Sequence, residues 1–456
     1  MMRLSELEHL LGGERRGEDR AFAAVSIDTR TLQPGDLFLA LRGARFDGND
    51  FVPAAAQGGA CAAVVERFAE SPLPQLRVAD GRRALGQLGA TWRARWPGRV
   101  VGVTGSNGKT TVKEMIAAVL GVSAPVLKTG GNLNNDIGVP LTLLRLRLEH
   151  RHAVIEMGAN HAGEIAYLGG LARPDVAVIT NAGPAHLEGF GSLEGVARAK
   201  GELLESLSTA GVAVLNADDR FFPAWCERAA GRTVLGFGWS DRAQVRALPE
   251  SVVMGLSATG FRTSFELLHG GRRRPLSLAL AGRHNVVNAL AATAAALALG
   301  CELDQIATGL ARITPVPGRL APVQGQRGAL LIDDTYNANP SSFEVALEVL
   351  RSLSGKSWVV LGAFAELGAA SAELHAAIGR RAKAAGVERL FAIGPEADRA
   401  VAAFGDGGVY CQSREELTER VARALSPETV VLIKGSRSQR LEQVVEALRA
   451  QGAACS

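Results

Sequence analysis

The sequence is short of cysteine, of aromatic residues and of any marked excess of one charge. Its five cysteines, Cys61, Cys226, Cys301, Cys411 and Cys455, lie far apart with no Cys-x-x-Cys pair. That spacing argues against a disulfide scaffold and a structural zinc, and fits a reducing compartment. The net charge of +4 is small for 456 residues, and the arginines are scattered, so a nucleic-acid partner is not expected. The first residues, MMRLSELEHLLGG, are acidic and amphipathic, unlike a basic, apolar leader. The longest apolar run, 286–301, contains Asn288 and Thr293 and falls short of a membrane span, so no membrane insertion is expected. A G-x-G-x-x-G fingerprint is also missing, which leaves no sign of a separate dinucleotide site. The remaining frame is a cytoplasmic globular enzyme. At 456 residues the chain is too long for one compact core, and two to four domains are expected.

What is present is organised around RVVGVTGSNGKTTVKEMIAAVL, residues 99–120. A β-rich apolar run at 100–104 breaks into a loop of glycine and small polar residues, and from Lys109 the pattern turns helical. This is the strand, loop and helix order of a phosphate-binding site. Gly105 and Gly108 let the backbone N–H groups of the Gly105, Ser106, Asn107 and Gly108 loop turn inward, and the helix N-terminus adds partial positive charge. Lys109 would reach terminal phosphates as a point charge. Thr110, followed by Thr111, places a hydroxyl where a Mg²⁺ bridging those phosphates takes a ligand. The loop departs from strict Walker spacing, because Val103 stands where the first glycine belongs.

Around this centre the chain divides into three stretches. Residues 1–83 read as a small α/β unit with short strands at 24–27, 37–41 and 62–66. Between them run the polar loops SIDTRTLQPGD and RGARFDGND, where Ser26, Thr29 and Arg30 are either ligands for a phosphate or sugar, or a capped turn with an exposed arginine. Residues 84–314 open with a helix at 84–96 and carry the chemistry. The loop NLNND, 132–136, is unusually rich in side-chain amides. The strand 152–156 ends in Glu156, placed to offer a carboxylate to Mg²⁺. A strand at 175–180 runs into NAGPAHLEGFGS and puts His186 at the ligand-collecting edge of the same parallel sheet. A helix at 193–207 holds Lys200 among apolar and small neighbours, where an ordinary salt-bridged lysine is the competing reading. Alternating stretches near 252, 261–268 and 276–280 suggest an antiparallel appendix. A helix starting near His284 has small residues on nearly all faces, so Asn285 and Asn288 would be buried and in need of partners. After the proline-rich linker at 313–323, residues 315–456 restart as a second open α/β unit with strands at 329–333, 358–362, 389–394 and 430–435.

Taken together, TGSNGKTT, NLNNDIGVPLTLL, EMGANHAGEI, TNAGPAHLEGFGS, ARAKGELL, AGRHNVVNALAA, PGRL, DDTYNANPSSF and KGSR resemble the motif series of the Mur ligases of bacterial cell-wall synthesis. The resemblance implies three α/β domains: an N-terminal one for a UDP-sugar, a central phosphate-loop ATPase with a mostly parallel sheet, and a C-terminal Rossmann-like one. It implies ATP with two Mg²⁺ sites and a reaction that joins D-alanyl-D-alanine to a UDP-N-acetylmuramoyl tripeptide through an acyl phosphate, in a protein expected to act as a monomer. By resemblance, residues 105–111 cradle ATP and Lys109 steadies the migrating phosphoryl group. Thr110 and Glu156 serve one metal, and His186 with a carbamylated Lys200 serves a second. Asn285 and Asn288 fall on the adenine side, Arg319 on the phosphate side, and Asp334 at the ribose. Asn134, Asn135, Asn337, Asn339, Lys434, Ser436 and Arg437 fall near the peptide substrates, with Ser26, Thr29 and Arg30 on the UDP-sugar side. Two departures are visible: Asn49 stands in FDGND where a histidine is usual, and GAFAELG replaces the commoner GDMLELG. Rival readings are a sister ligase adding a single amino acid, whose DNPR-type motif is missing here, and a folylpolyglutamate synthase, which lacks a UDP-sugar domain. A third is a nucleotide-driven switch with a protein partner.

Overall fold

In the computed structural model, which describes residues 1–43, 46–184, 187–257 and 260–450, the central sheet grows outward from the phosphate-loop strand. Arg99–Thr104 lies between His152–Glu156 and Val176–Ile179, both parallel to it. Val126–Lys128 closes one edge, and Val212–Asn216, Thr233–Gly238 and Val245–Ala247 extend the other in parallel. The appendix expected from the alternating pattern follows: Val253–Ser257, Gly260–His269 and Arg272–Leu278 pair antiparallel. Valine-rich strands buried on both faces are what a parallel sheet covered by helices requires. Period-two alternation sends Val101 and Val103 to one core, with Ile116 and Leu290, and Val100 to the other, with Ile155 and Leu168. The alanine-rich helix Arg283–Ala298 is buried from Ala289 to Ala296 and packs against the helix Lys109–Leu120.

The N-terminal sheet runs in the order Glu14–Arg16, Gln75–Arg77, Ala62–Val65, Leu37–Leu39, Val25–Ser26, with only the first pair antiparallel. The helix expected at 84–96 is Gly81–Arg95, and it starts earlier because the Asp80 side chain accepts the Arg83 N–H. Its Leu85 and Leu88 join the N-terminal core, while Gly89 lies against Pro140 of the central unit. The C-terminal sheet has the order Ala321–Gln324, Leu330–Asp334, Thr429–Lys434, Lys356–Gly362, Arg389–Ile393, Gly408–Cys411. All its pairs are parallel except the first.

Several elements differ from the sequence expectation. Part of the proline-rich linker is the edge strand Ala321–Gln324, where Pro322 is tolerated because an edge leaves one side unpaired. The strand Gly408–Cys411 went unread because four residues are too few to show a period. The helix expected over 193–207 is α-helical over Leu193–Gly201 and tightens to 3₁₀ over Glu202–Ser206. Among the described residues, no helix is long and apolar enough to cross a membrane, and Cys61, Cys226, Cys301 and Cys411 are unpaired.

Candidate active site

The phosphate loop is held by its neighbours before any ligand is considered. Gly105 and Gly108 have φ of 145° and 83°, and a Cβ would come within 1.9 Å of Thr180 Oγ1 at the first and 2.5 Å of Asn288 Oδ1 at the second. Glycine is required at both. The Thr180 hydroxyl donates to the Asn107 carbonyl at 2.6 Å, the Asn107 N–H donates to Asn181 Oδ1 at 3.0 Å, and the Ser106 hydroxyl donates to the Gly183 carbonyl at 3.0 Å. Lys109 folds back so that Nζ donates to the Gly105 and Ser106 carbonyls at 2.7 and 3.2 Å. Burial, with Arg319 nearby, lowers its pKa against the opposing pull of Glu156. Thr110 lies in the first turn of the helix Lys109–Leu120, its hydroxyl accepting from Arg319 Nη2 at 3.2 Å, and Thr111 lines a small cleft with Asn285 and Arg319.

Glu156 is 3 % exposed. Its N–H donates to Thr129 Oγ1 and its Oε1 accepts from Asn134 Nδ2, each at 2.9 Å. Among the described residues no donor reaches Oε2. A buried carboxylate oxygen without a donor suits a hard cation, and a neutral hydroxyl of the kind Thr110 carries is a further ligand type such a cation takes. The sequence reading missed Lys113, whose Nζ lies 3.7 Å from that Oε2 and donates to the Thr129 carbonyl at 2.9 Å. Its position one turn after Lys109, on the same helix face, is the signal that was available.

Lys200 is 2 % exposed, with its ammonium 5.2 Å from the Phe190 ring centre. Burial first, then the charge of Lys109, pull its pKa down to about 7 against Glu164 and Glu202. Glu202 is committed elsewhere, accepting from the Gly163 and Ala166 N–H groups at 2.8 and 3.1 Å to cap the helix Glu164–Ala172. His186, expected beside Lys200, lies outside the described residues. Among the described residues no group of three or more His, Cys, Asp or Glu side chains is gathered for a metal.

The C-terminal unit brings its strand ends to the same place. Arg319 reaches Thr110 while its guanidinium stacks 4.3 Å from the Tyr336 ring centre, and Arg437 approaches that ring at 5.9 Å. Asn339 caps the helix Pro340–Arg351 and also donates to Asn107 Oδ1 at 2.9 Å, while Asn107 Nδ2 donates to Ser341 Oγ at 3.0 Å. The tip of the phosphate loop is thereby tied to the C-terminal unit. Asp334 accepts from Lys434 Nζ at 2.6 Å in a buried ion pair, and the same ammonium donates to the Asn337 carbonyl at 3.0 Å. His284, packed near that pair, is held neutral by burial, its pKa down to about 4. Arg437 is mostly exposed, 3.9 Å from Glu442, and Ser436 accepts the Ala365 N–H at 2.8 Å, which anchors the GAFAELG loop.

Other expected residues spend their polar groups on structure. Asn285 donates to the Ala281 carbonyl at 2.8 Å and accepts from Asn288 Nδ2 at 3.0 Å. Asn135 Oδ1 accepts the Gly138 N–H at 2.9 Å, where the helix Gly138–Leu143 begins. Arg30 grips Asp28 through two hydrogen bonds of 2.9 and 2.6 Å on the surface, the Ser26 hydroxyl donates to the Asp28 carbonyl at 3.0 Å, and Thr29 is half-buried between them. Asn49 is buried, and its Oδ1 accepts the Glu66 N–H at 2.9 Å, which pins the FDGND loop to a strand end.

Comparison with known proteins fits this geometry. Family models for the Mur ligase middle domain, the Mur ligase glutamate ligase domain and the Mur ligase family catalytic domain match residues 103–296, 318–437 and 21–93. The chain is 45 % identical over 451 residues to the UDP-N-acetylmuramoyl-tripeptide–D-alanyl-D-alanine ligase of Escherichia coli K12, covering 98 % of both chains. Among solved structures, it resembles MurF from Acinetobacter baumannii with a TM-score of 0.89 at 37 % identity, over 97 % of this chain and 98 % of that one. It resembles the MurF ligase of Thermotoga maritima in complex with ADP with a TM-score of 0.83 at 31 % identity, over 93 % and 96 % of the two chains.

Proposed function

The chain belongs to the Mur ligase family, and we propose on that premise that it uses ATP to join D-alanyl-D-alanine to a UDP-N-acetylmuramoyl tripeptide, releasing ADP and phosphate. The observation that carries the reading is the meeting of Lys109 and Arg319 at a phosphate loop, one from the central unit and one from the unit that follows it. A site that joins a carboxylate to a polyphosphate must first offset their mutual repulsion. An ADP complex of a relative supports use of ATP.

The chemistry runs in two transfers. A carboxylate oxygen of the tripeptide bonds the γ-phosphorus of ATP as the bond to the β-phosphate oxygen breaks, giving an acyl phosphate and ADP. The unprotonated amine of the dipeptide then attacks the acyl carbon, and the tetrahedral species expels phosphate as the amine gives up its proton. Lys109 and the loop N–H groups hold the phosphates, and Arg319, steadied by Tyr336, approaches them from the other unit. Thr110 and Glu156 suit one Mg²⁺, and His186 with carbamylated Lys200 a second; bound there, the metals would neutralise phosphate charge. Asn337, Asn339, Lys434 and Arg437 stand on the dipeptide side, with Ser26, Thr29, Arg30, Asn134 and Asn135 toward the UDP-sugar peptide. We bound the three units at residues 1–83, 84–314 and 315–456. We propose that it acts as a monomer in the cytoplasm, where nucleotide substrates are met. ADP release across a panel of UDP-sugar peptides and amines tests the reading.

A further inference from the structure

One buried cation near the site has no part in the scheme above. Lys113 is 1 % exposed, on the helix that follows the phosphate loop, and faces Glu156 across 3.7 Å. The two are tied through one residue: Lys113 Nζ donates to the Thr129 carbonyl, and Thr129 Oγ1 accepts the Glu156 N–H. The other charge on Lys113 is Glu114 Oε1 at 3.2 Å, and Glu114 in turn pairs with Lys128 at the surface. Asn134 fixes Oε1 of Glu156, so the oxygen that Lys113 faces is the one without a hydrogen bond. A buried lysine is costly to keep unless an anion offsets it, and so is a buried carboxylate. At 3.7 Å the two offset each other without spending the oxygen's lone pairs.

We propose that Lys113 is a positioning residue that acts as a resident counter-charge for Glu156, holding the carboxylate aimed when no metal is bound and weakening metal binding by repelling a cation brought to the same oxygen. The inference rests on Glu156 as the metal carboxylate. A divalent ion brought to Oε2 would meet the ammonium as a like charge, so removing that charge tightens the metal while leaving the metal-free protein with an uncompensated buried anion.

The test uses the full chain with Mn²⁺ and ADP, and measures Mn²⁺ dissociation by electron paramagnetic resonance beside the apparent thermal midpoint of the metal-free protein. Lys113→Met should lower that midpoint by several degrees and tighten Mn²⁺ by roughly fivefold or more. Adding Mn²⁺ and ADP should close the gap in midpoint, and Lys113→Arg should stay near wild type. In the Lys113→Met background, Glu156→Gln should restore the metal-free midpoint, because it removes the charge that lost its partner. Unchanged or weaker Mn²⁺ binding in Lys113→Met overturns the proposal. So does a lost midpoint that Glu156→Gln fails to restore, which would mark a packing role only. If Lys113→Met does not fold, folding of the double variant supports the proposal and failure of both overturns it. Wild type and Glu156→Gln binding Mn²⁺ equally would remove the premise about Glu156, whereas an ADP-release panel rejecting the substrates would leave these metal results standing.

Discussion

Lys200 gives a prediction whose size follows from its surroundings. Carbamylation requires a neutral amine, which bonds the carbon of carbon dioxide and sheds a proton to leave an anionic carbamate. Burial and the charge of Lys109 bring the Lys200 pKa from 10.5 down to about 7. At pH 7 about half of that amine is neutral, against roughly one part in three thousand for an ordinary lysine. With ¹³C-bicarbonate, the folded protein should show a carbamate carbon resonance that Lys200→Ala abolishes, growing as pH rises through about 7. Lys200→Ala should lose turnover and recover part of it with short carboxylic acids, which replace the anion. The same shift gives a sign for stability. Between pH about 7 and 10.5 the unfolded chain holds a proton that folded Lys200 has shed, so this residue's contribution to stability rises with pH across that window. A Lys200 that titrates near its ordinary value and takes no label refutes the argument.

Lys109→Ala should fold normally and lose at least about a hundredfold in kcat, because it removes charge stabilisation from the transferring phosphoryl group with little packing; a variant within a few-fold of wild type contradicts the site. Asn339→Ala removes the amide that joins the helix Pro340–Arg351 to Asn107, and single-turnover acyl-phosphate formation should slow by roughly three- to tenfold. Unchanged single-turnover rates would mean that the contact plays no part in the active arrangement. Arg437→Lys should raise KM for the dipeptide more than for ATP, since lysine cannot grip a carboxylate with two parallel hydrogen bonds; equal changes in both KM values would count against that placement.

The phosphate loop was legible because its chemistry is local: glycines, Lys109 and Thr110 follow one another along the chain. The strand that ends in Glu156 was legible because a short apolar run marks it. Lys113 was passed over although it lies four residues beyond Lys109, because its meaning depends on Glu156 43 residues away. Thr180 and Asn181 lock the loop by hydrogen bonds that no spacing announces. The Arg319 and Tyr336 stack and the Asn107 and Asn339 contact arise only when strand ends from two sheets meet. Arg30 shows a partner of the same local kind: on the surface of its polar loop it pairs with Asp28 two residues back. Asn49, the departure from the family pattern in FDGND, is buried as a brace for its own loop.

The most direct test of the central claim is ADP release by purified protein given ATP, Mg²⁺, a UDP-N-acetylmuramoyl tripeptide and one amine at a time. The account predicts fast release with D-alanyl-D-alanine, much slower release with free D-alanine, and little without the tripeptide. Release that ignores D-alanyl-D-alanine and instead follows coupling of a single amino acid to the shorter UDP-sugar dipeptide would contradict it.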